Sequence, residues 1–206
     1  MIRIDCEQRS PGWYAVRRGI PTASAFDRIM TPKTMKPASA QEKYINELIA
    51  DRLAIDWPPE SSFTSDSMLK GIVTEDEARK WYAWDRNCDV EQIGFCLSNC
   101  GRYGCSPDGG LISGGGLEIK VPDLKTHIGY LRDGVLPSDY LCQVHGSMFI
   151  NQVDWWDFLS YNTDNAPQFV LRVHRDKFTD ALGEEVVKFC DRLDEEYAKF
   201  TEGHYG

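Results

Sequence analysis

Apolar residues recur along the chain at two periods, and the switches between them outline its elements. Over 41–54, Tyr44, Ile45, Leu48, Ile49 and Leu53 fall at helical spacing and predict an amphipathic helix with one face in the core. Similar spacing predicts helices over 67–84, 124–133, 138–150 and 176–200. In the last of these Phe178, Leu182, Val186, Phe189, Leu193 and Tyr197 share a face. In the 138–150 helix Leu141, Val144, Met148 and Phe149 point inward. Ser10-Pro11 predicts a short helix with Ser10 as N-cap and Pro11 at its first position, ended by Gly19. A second short helix is expected over 23–30. Residues 88–98, 153–161 and 169–174 are β-prone, whereas 31–40 and 56–66 read as loops.

Between the first of these strands and the later helices lies a hairpin pattern. Leu111-Ile112 ends one strand, Ser113 to Gly116 supplies turn chemistry, and Leu117 to Val121 is the return strand. Alternation sends Leu117, Ile119 and Val121 to one face and Glu118 and Lys120 to the other. Asp108, at the mouth of the hairpin, can reach the same place. Helices first, then strand, hairpin, helix, strand, strand and helix predict an α/β fold: a mixed central sheet flanked by helices, in a single domain spanning 1–206.

The set Asp, then Glu-x-Lys, suits metal-assisted phosphodiester hydrolysis. Carboxylates are hard oxygen ligands for Mg²⁺ or Mn²⁺, and a bound ion polarises phosphate and acidifies water. The Ile119 carbonyl, between the two side chains, is a further candidate ligand. Desolvation and nearby positive charge are expected to depress the pKa of Lys120, which can then orient or deprotonate the attacking water. Glu-x-Lys is common by chance, and alone it reads equally as an ion pair on a solvated face. Glu75 either pairs with Arg79, one turn on, or stands behind the metal site as an extra carboxylate. Tyr140 and Gln143 project toward the strand end that carries Lys120. Arg17, Arg18 and Ser24 suit phosphate, and also read as surface arginines beside an ordinary cap.

Composition narrows the class. With 206 residues, 42% hydrophobic and 27% charged, the chain can build a substantial core. No apolar run approaches the roughly 18 residues of a membrane span, and the N-terminus does not resemble a signal peptide, so a cytoplasmic protein with no membrane partner is expected. A formal net charge of −9 argues against a nonspecific nucleic-acid coat but is compatible with a nuclease that grips DNA through a local basic patch. There are seven cysteines, and Cys88, Cys96, Cys100 and Cys105 cluster in sequence without a C-x-x-C pair. They read as buried thiols or as a zinc or iron–sulfur site.

Five motifs occur in order: Trp13…Arg17-x-Gly19…Thr22-Ala23-Ser24; Gly71-x-x-x-Glu75-x-x-Ala78; Cys105-Ser106-Pro107-Asp108-Gly109; Leu117-Glu118-Ile119-Lys120-x-Pro122; and Gln143-Val144-x-x-Ser147-Met148. Through them the chain resembles the YqaJ-type viral recombinases, the phage lambda exonuclease family, within the PD-(D/E)xK nuclease superfamily. The resemblance implies a restriction-endonuclease-like core and a 5′→3′ exonuclease on double-stranded DNA ends. Such an enzyme releases mononucleotides and leaves a 3′ single strand for an annealing partner. It implies Mg²⁺ held by Asp108, Glu118 and the Ile119 carbonyl, with Mn²⁺ as a substitute. Lys120 is implied as the catalytic lysine, and Glu75 and Gln143 as accessory residues. Arg17, Ser24 and Ser106 correspond to the 5′-phosphate seat, Met68 to an apolar wedge in the duplex, and the assembly to a ring-shaped homotrimer. An endonuclease or single-strand nuclease on the same fold, and a noncatalytic DNA-end binder, are the alternatives.

Overall fold

A computed structural model describes residues 1–55, 66–111 and 113–203, with side chains described from 74 onward in the helix that starts at Asp66. The expected loop over 56–65 and the strand position of Ile112 lie outside the described residues. In chain order the elements are β1 (Ile2–Ile4), α1 (Pro11–Arg17), a 3-10 helix (Ala23–Arg28), β2 (Met30–Thr31), β3 (Lys36–Pro37), α2 (Gln41–Leu53) and α3 (Asp66–Asp85). Then come β4 (Val90–Glu91), β5 (Phe95–Leu97), β6 (Gly104–Cys105), β7 (Gly109–Leu111), β8 (Gly115–Lys120), α4 (Leu124–Asp133), α5 (Ser138–Asn151), β9 (Trp155–Ser160), β10 (Phe169–His174) and α6 (Lys177–Thr201).

The main sheet has the order β10-β9-β8-β7-β4. β8 and β9 run parallel at its centre and the other neighbours are antiparallel, so the sheet is mixed. Parallel neighbours need a crossover, and α4 and α5 provide it. Each face of β8 is covered. Leu117 and Ile119 pack with Ala78 and Tyr82 of α3 and with Leu159. On the opposite face Val144 and Met148 of α5 pack on Trp156 and Phe158. Glu118 lies beside Phe158 in the register, so it leaves the sheet toward α5. Glycine is required where β8 passes the tryptophans: a Cβ on Gly116 would come within 2.2 Å of the Trp156 ring, and one on Gly115 within 2.5 Å of Trp155.

Local signals set the helix ends. Ser10 Oγ accepts from Trp13 N at 3.2 Å, and Gly19 takes φ +64° just past α1. Asp123 caps α4 by accepting from Thr126 N, and Gly134 ends it at φ +64°. Asp176 and Thr179 form a capping box on α6. The buried histidines are tied into the fold: His127 bridges Ser160 and the Pro167 carbonyl, and His145 meets Thr179.

Several expectations are corrected. The stretch 88–98 is not one strand. It divides at Gln92–Gly94, and its halves join different sheets, β4 the main one and β5 a small sheet β1-β5-β6. The second short helix is a 3-10 helix. The stretch 31–40 holds three of the four residues of a β2–β3 ribbon rather than only loop. The return strand begins at Gly115, two residues earlier than its apolar pattern, because the tryptophan rings of β9 take the space that side chains would fill. Val121 is 41% exposed, since the strand ends at Lys120. Among the described residues no helix is long and apolar enough to cross a membrane.

Candidate active site

A cleft of about 250 Å³ opens at the end of β7 and β8, and Asp108, Glu118, Ile119, Lys120, Glu75, Gln143, Arg17 and Ser24 all line it, as does Ser106. These residues come from α1, the 3-10 helix, α3, the β6–β7 link, β8 and α5. Met68 lies in α3, and its side chain is outside the described residues.

Asp108 follows Pro107 in the link between two short strands. Its own N–H donates to the Leu117 carbonyl (3.2 Å), and its Oδ2 accepts from Ile119 N at 2.7 Å. The carboxylate thus takes the place of a backbone acceptor just beyond the end of β7. A strand residue sends its N–H and C=O to the same edge, so the Ile119 carbonyl also leaves β8 on the side of Asp108. Arg79 of α3 steadies the turn from behind, its Nε donating to the Asp108 carbonyl at 2.7 Å. Glu118 is 1% exposed, and its Oε1 accepts from Lys120 Nζ and from Gln143 Nε2, both at 2.6 Å. Glu75 is clamped by Arg79 (3.1 Å) and Arg9 (3.0 Å). The open choice for Glu75 resolves into both descriptions, for it pairs with Arg79 and also lines the cleft.

Burial pushes the Asp108 carboxyl well above the usual range, and the charges of Glu118 and Glu75 push it further. Burial likewise raises Glu118, against the opposing pull of Lys120. Lys120 departs from expectation. Burial alone would lower its pKa, but the Glu118 and Asp108 carboxylates more than reverse this and hold the ammonium charged. In this arrangement Lys120 is ion-paired with Glu118 at 2.6 Å.

The donor set fits a hard divalent cation. Among the described residues no three His, Cys, Asp or Glu side chains group closely enough to hold an ion by themselves. Mg²⁺ ordinarily takes one or two carboxylates and fills its other positions with water and substrate phosphate. Asp108 and Glu118, each raised in pKa by burial, with the Ile119 carbonyl on the same edge, are such a set. The sequence cluster of cysteines disperses. Cys96 and Cys105 face each other across β5 and β6, Cys88 packs beside the α3 cluster, and Cys100 is exposed on a turn.

The other end of the cleft is cationic. Arg17 stacks on Trp13 at 4.1 Å, and both residues bond to Ser106 Oγ, at 3.2 Å from Arg17 Nη1 and 2.7 Å from Trp13 Nε1. Arg17 Nη2 donates to Thr22 Oγ1 (3.4 Å), which meets Ser24 Oγ at 3.3 Å. Burial lowers the Arg17 pKa, yet an arginine stays charged. Among the described residues its bonds go to hydroxyls and no carboxylate pairs with it. A half-hidden guanidinium ringed by hydroxyls is complementary to an anion with several oxygens. Gln8, Arg9 and Thr22 also line the cleft. Gln8 and Arg9 escaped the sequence reading, and Thr22 belongs to the first motif but was given no role there. Gln8 and Arg9 bond to partners 66 to 99 residues away, so no local pattern marks them.

The family model described as the YqaJ-like viral recombinase domain matches residues 12–154. The chain belongs to that family. An alkaline exonuclease (LHK-Exo) from Laribacter hongkongensis superposes with a TM-score of 0.81 at 29% identity, covering 95% of this chain and 98% of that one. The same exonuclease in complex with dAMP gives 0.80 at 30% identity, covering 96% and 100%. A phage related exonuclease from Haemophilus somnus 129PT, at 17% identity and TM-score 0.63 over 86% and 96%, shares the fold. No curated protein matches the chain. The fold is the PD-(D/E)xK fold, and membership of this recombinase family supports a nuclease role.

Proposed function

We propose that the protein is a Mg²⁺-dependent 5′→3′ exonuclease acting on double-stranded DNA ends, with Mn²⁺ able to substitute. It releases mononucleotides and leaves a 3′ single strand for recombination by annealing. The observation that carries this reading is the polarity of one cleft. Among the described residues, one end holds a guanidinium among hydroxyls with no carboxylate of its own, and the other a carboxylate pair, buried Glu118 and half-buried Asp108, with a lysine and a glutamine. The first suits a terminal phosphate and the second a metal ion beside a scissile phosphodiester.

Arg17, Ser24 and Ser106 hold the 5′-phosphate, with Thr22 linking the two ends of that cradle and Trp13 fixing the guanidinium plane. Anchoring the end sets which phosphodiester reaches the carboxylates, and fixed geometry of this kind lowers the entropic part of the barrier. Asp108, Glu118 and the Ile119 carbonyl hold the ion, which when bound supplies Lewis-acid charge at the phosphate and lowers the pKa of the attacking water. Lys120 orients that water and stabilises the charge that develops on phosphate. Gln143 fixes the Glu118 carboxylate, and Glu75 supports the site from α3. A ring-shaped homotrimer on duplex DNA, a single-strand annealing protein as partner, and a bacterial cytoplasm as setting belong to the same proposal.

The test is digestion of linear duplex carrying a label at either the 5′ or the 3′ end. With Mg²⁺ the 5′ label is expected to appear at once as mononucleotide while the 3′ label stays on long fragments. With EDTA neither is released. Early release of the 3′ label would reverse the proposed polarity, and undiminished digestion in EDTA would remove the metal from the scheme.

A further inference from the structure

The turn before α1 places a bulky residue where the backbone favours glycine. Arg9 has φ +69°, a region that residues with a Cβ enter rarely. The turn is nevertheless pinned. Ser10 N donates to the Glu7 carbonyl at 3.1 Å, and Gln8 Nε2 donates to the carbonyls of Ile93 (2.8 Å) and Pro107 (3.0 Å). Arg9 therefore lies on the wall of the cleft, with a side chain 37% exposed and Nη2 on Glu75 Oε2.

Glu75 does not need this partner. Its other oxygen is held by Arg79, which is also fixed to the Asp108 carbonyl and to Asp76, and Asp76 is paired in turn with Lys80. Within this network three cations, Arg9, Arg79 and Lys80, meet two carboxylates, and Arg9 is the member on the cleft wall. An ion pair whose cation is this exposed contributes little and exchanges readily.

We infer that Arg9 is a further substrate-contacting residue. It binds a backbone phosphate of the DNA strand lying in the cleft, a phosphate other than the terminal one seated by Arg17 and Ser106, and exchanges Glu75 for that phosphate's oxygens. The fork of a guanidinium matches two phosphate oxygens. Arg79 stays on Glu75 throughout, so the exchange strands no carboxylate. This inference rests on the nuclease reading of the cleft.

The experiment uses Arg9→Gly and Arg9→Asn, both suited to a left-handed backbone, so that the fold is kept. Binding of a linear 5′-phosphorylated duplex is followed by fluorescence anisotropy in EDTA over a range of salt concentrations. Loss of one phosphate contact is expected to flatten the slope of log K against log[salt] by about 0.9, equivalent to about eightfold weaker binding at 0.1 M salt. Melting temperatures should equal or exceed wild type. An unchanged slope in either variant would overturn the inference, as would weaker binding at every salt concentration together with a lower melting temperature, the mark of a merely structural ion pair. Digestion of linear duplex by the wild-type protein in Mg²⁺ separates the two readings. If it digests while the variants keep the wild-type slope, only the role of Arg9 falls. If it neither binds nor digests, the nuclease reading falls as well.

Discussion

At Asp108 the protein carries an electrostatic cost that the proposed ion would relieve. Folding raises the carboxyl's pKa through burial and through the charges of Glu118 and Glu75. A group that binds its proton more tightly when folded adds stability below the ordinary carboxylate range and loses it as pH rises through the raised value. Asp108→Asn keeps an oxygen for Ile119 N–H and removes the charge. In EDTA the variant should therefore melt above wild type, with a gap that widens as pH rises from about 4 toward 7, roughly 2–4 °C for each kcal/mol relieved. Added Mg²⁺ should stabilise wild type, by about 2.7 kcal/mol at a hundredfold excess over Kd, and the variant much less. Calorimetry across pH checks this, and identical melting at every pH would show that the carboxylate bears no such cost. The pattern Asp, Glu-x-Lys was legible in the sequence because strand alternation alone puts Glu118 and Lys120 on one face. The charge state of Lys120 was not, since it depends on two carboxylates whose burial only the fold sets.

Among elements, the contact between α5 and the 3-10 helix connects packing to the proposed phosphate seat. Gly146 makes it possible: a Cβ there would meet the Phe26 ring at 2.5 and 2.9 Å. The 3-10 helix carries Ser24 and follows Thr22, so displacing it moves that cradle. Gly146→Ala should cost roughly 1–3 kcal/mol by overpacking and weaken the preference for 5′-phosphorylated over unphosphorylated ends. Thermal melts and paired digestions read both effects, and a wild-type melting temperature would mean the contact is looser than its geometry. Helices α1, α2, α4, α5 and α6, and strands β9 and β10, were legible from periodicity and caps, because each has a continuous apolar face or a local stop signal. β1 and β6 were not, and β5 was read only as part of one longer strand over 88–98, for strands of two or three residues exist through their partners. β1 pairs with residues more than 90 positions away, and the 92–94 break in the expected strand is crossed by the N-terminal segment, which leaves no room for a Cβ on Gly94 beside Cys6.

For the whole molecule, a net charge of −9 accompanies a cleft lined by three cations, Arg9, Arg17 and Lys120. On the proposed function, nonspecific attraction to duplex DNA is then weak, and productive binding depends on an end that can enter the cleft. Covalently closed circular duplex should survive prolonged incubation with Mg²⁺ under conditions that consume the same molecule once linearised. Gel analysis of the two substrates side by side decides this, and cutting of the closed circle would favour an endonuclease. The cleft also draws on a long span of chain. Gln8 and Arg9 meet partners near 75, 93 and 107, Trp13 and Arg17 meet Ser106, and Glu118 waits for Gln143 of α5. A nascent polypeptide that has emerged from the ribosome only as far as β8 carries Asp108 and Glu118 but lacks both Gln143 and the parallel neighbour β9. On the proposed function, cutting power therefore arrives late in synthesis, once α5 and β9 are in place.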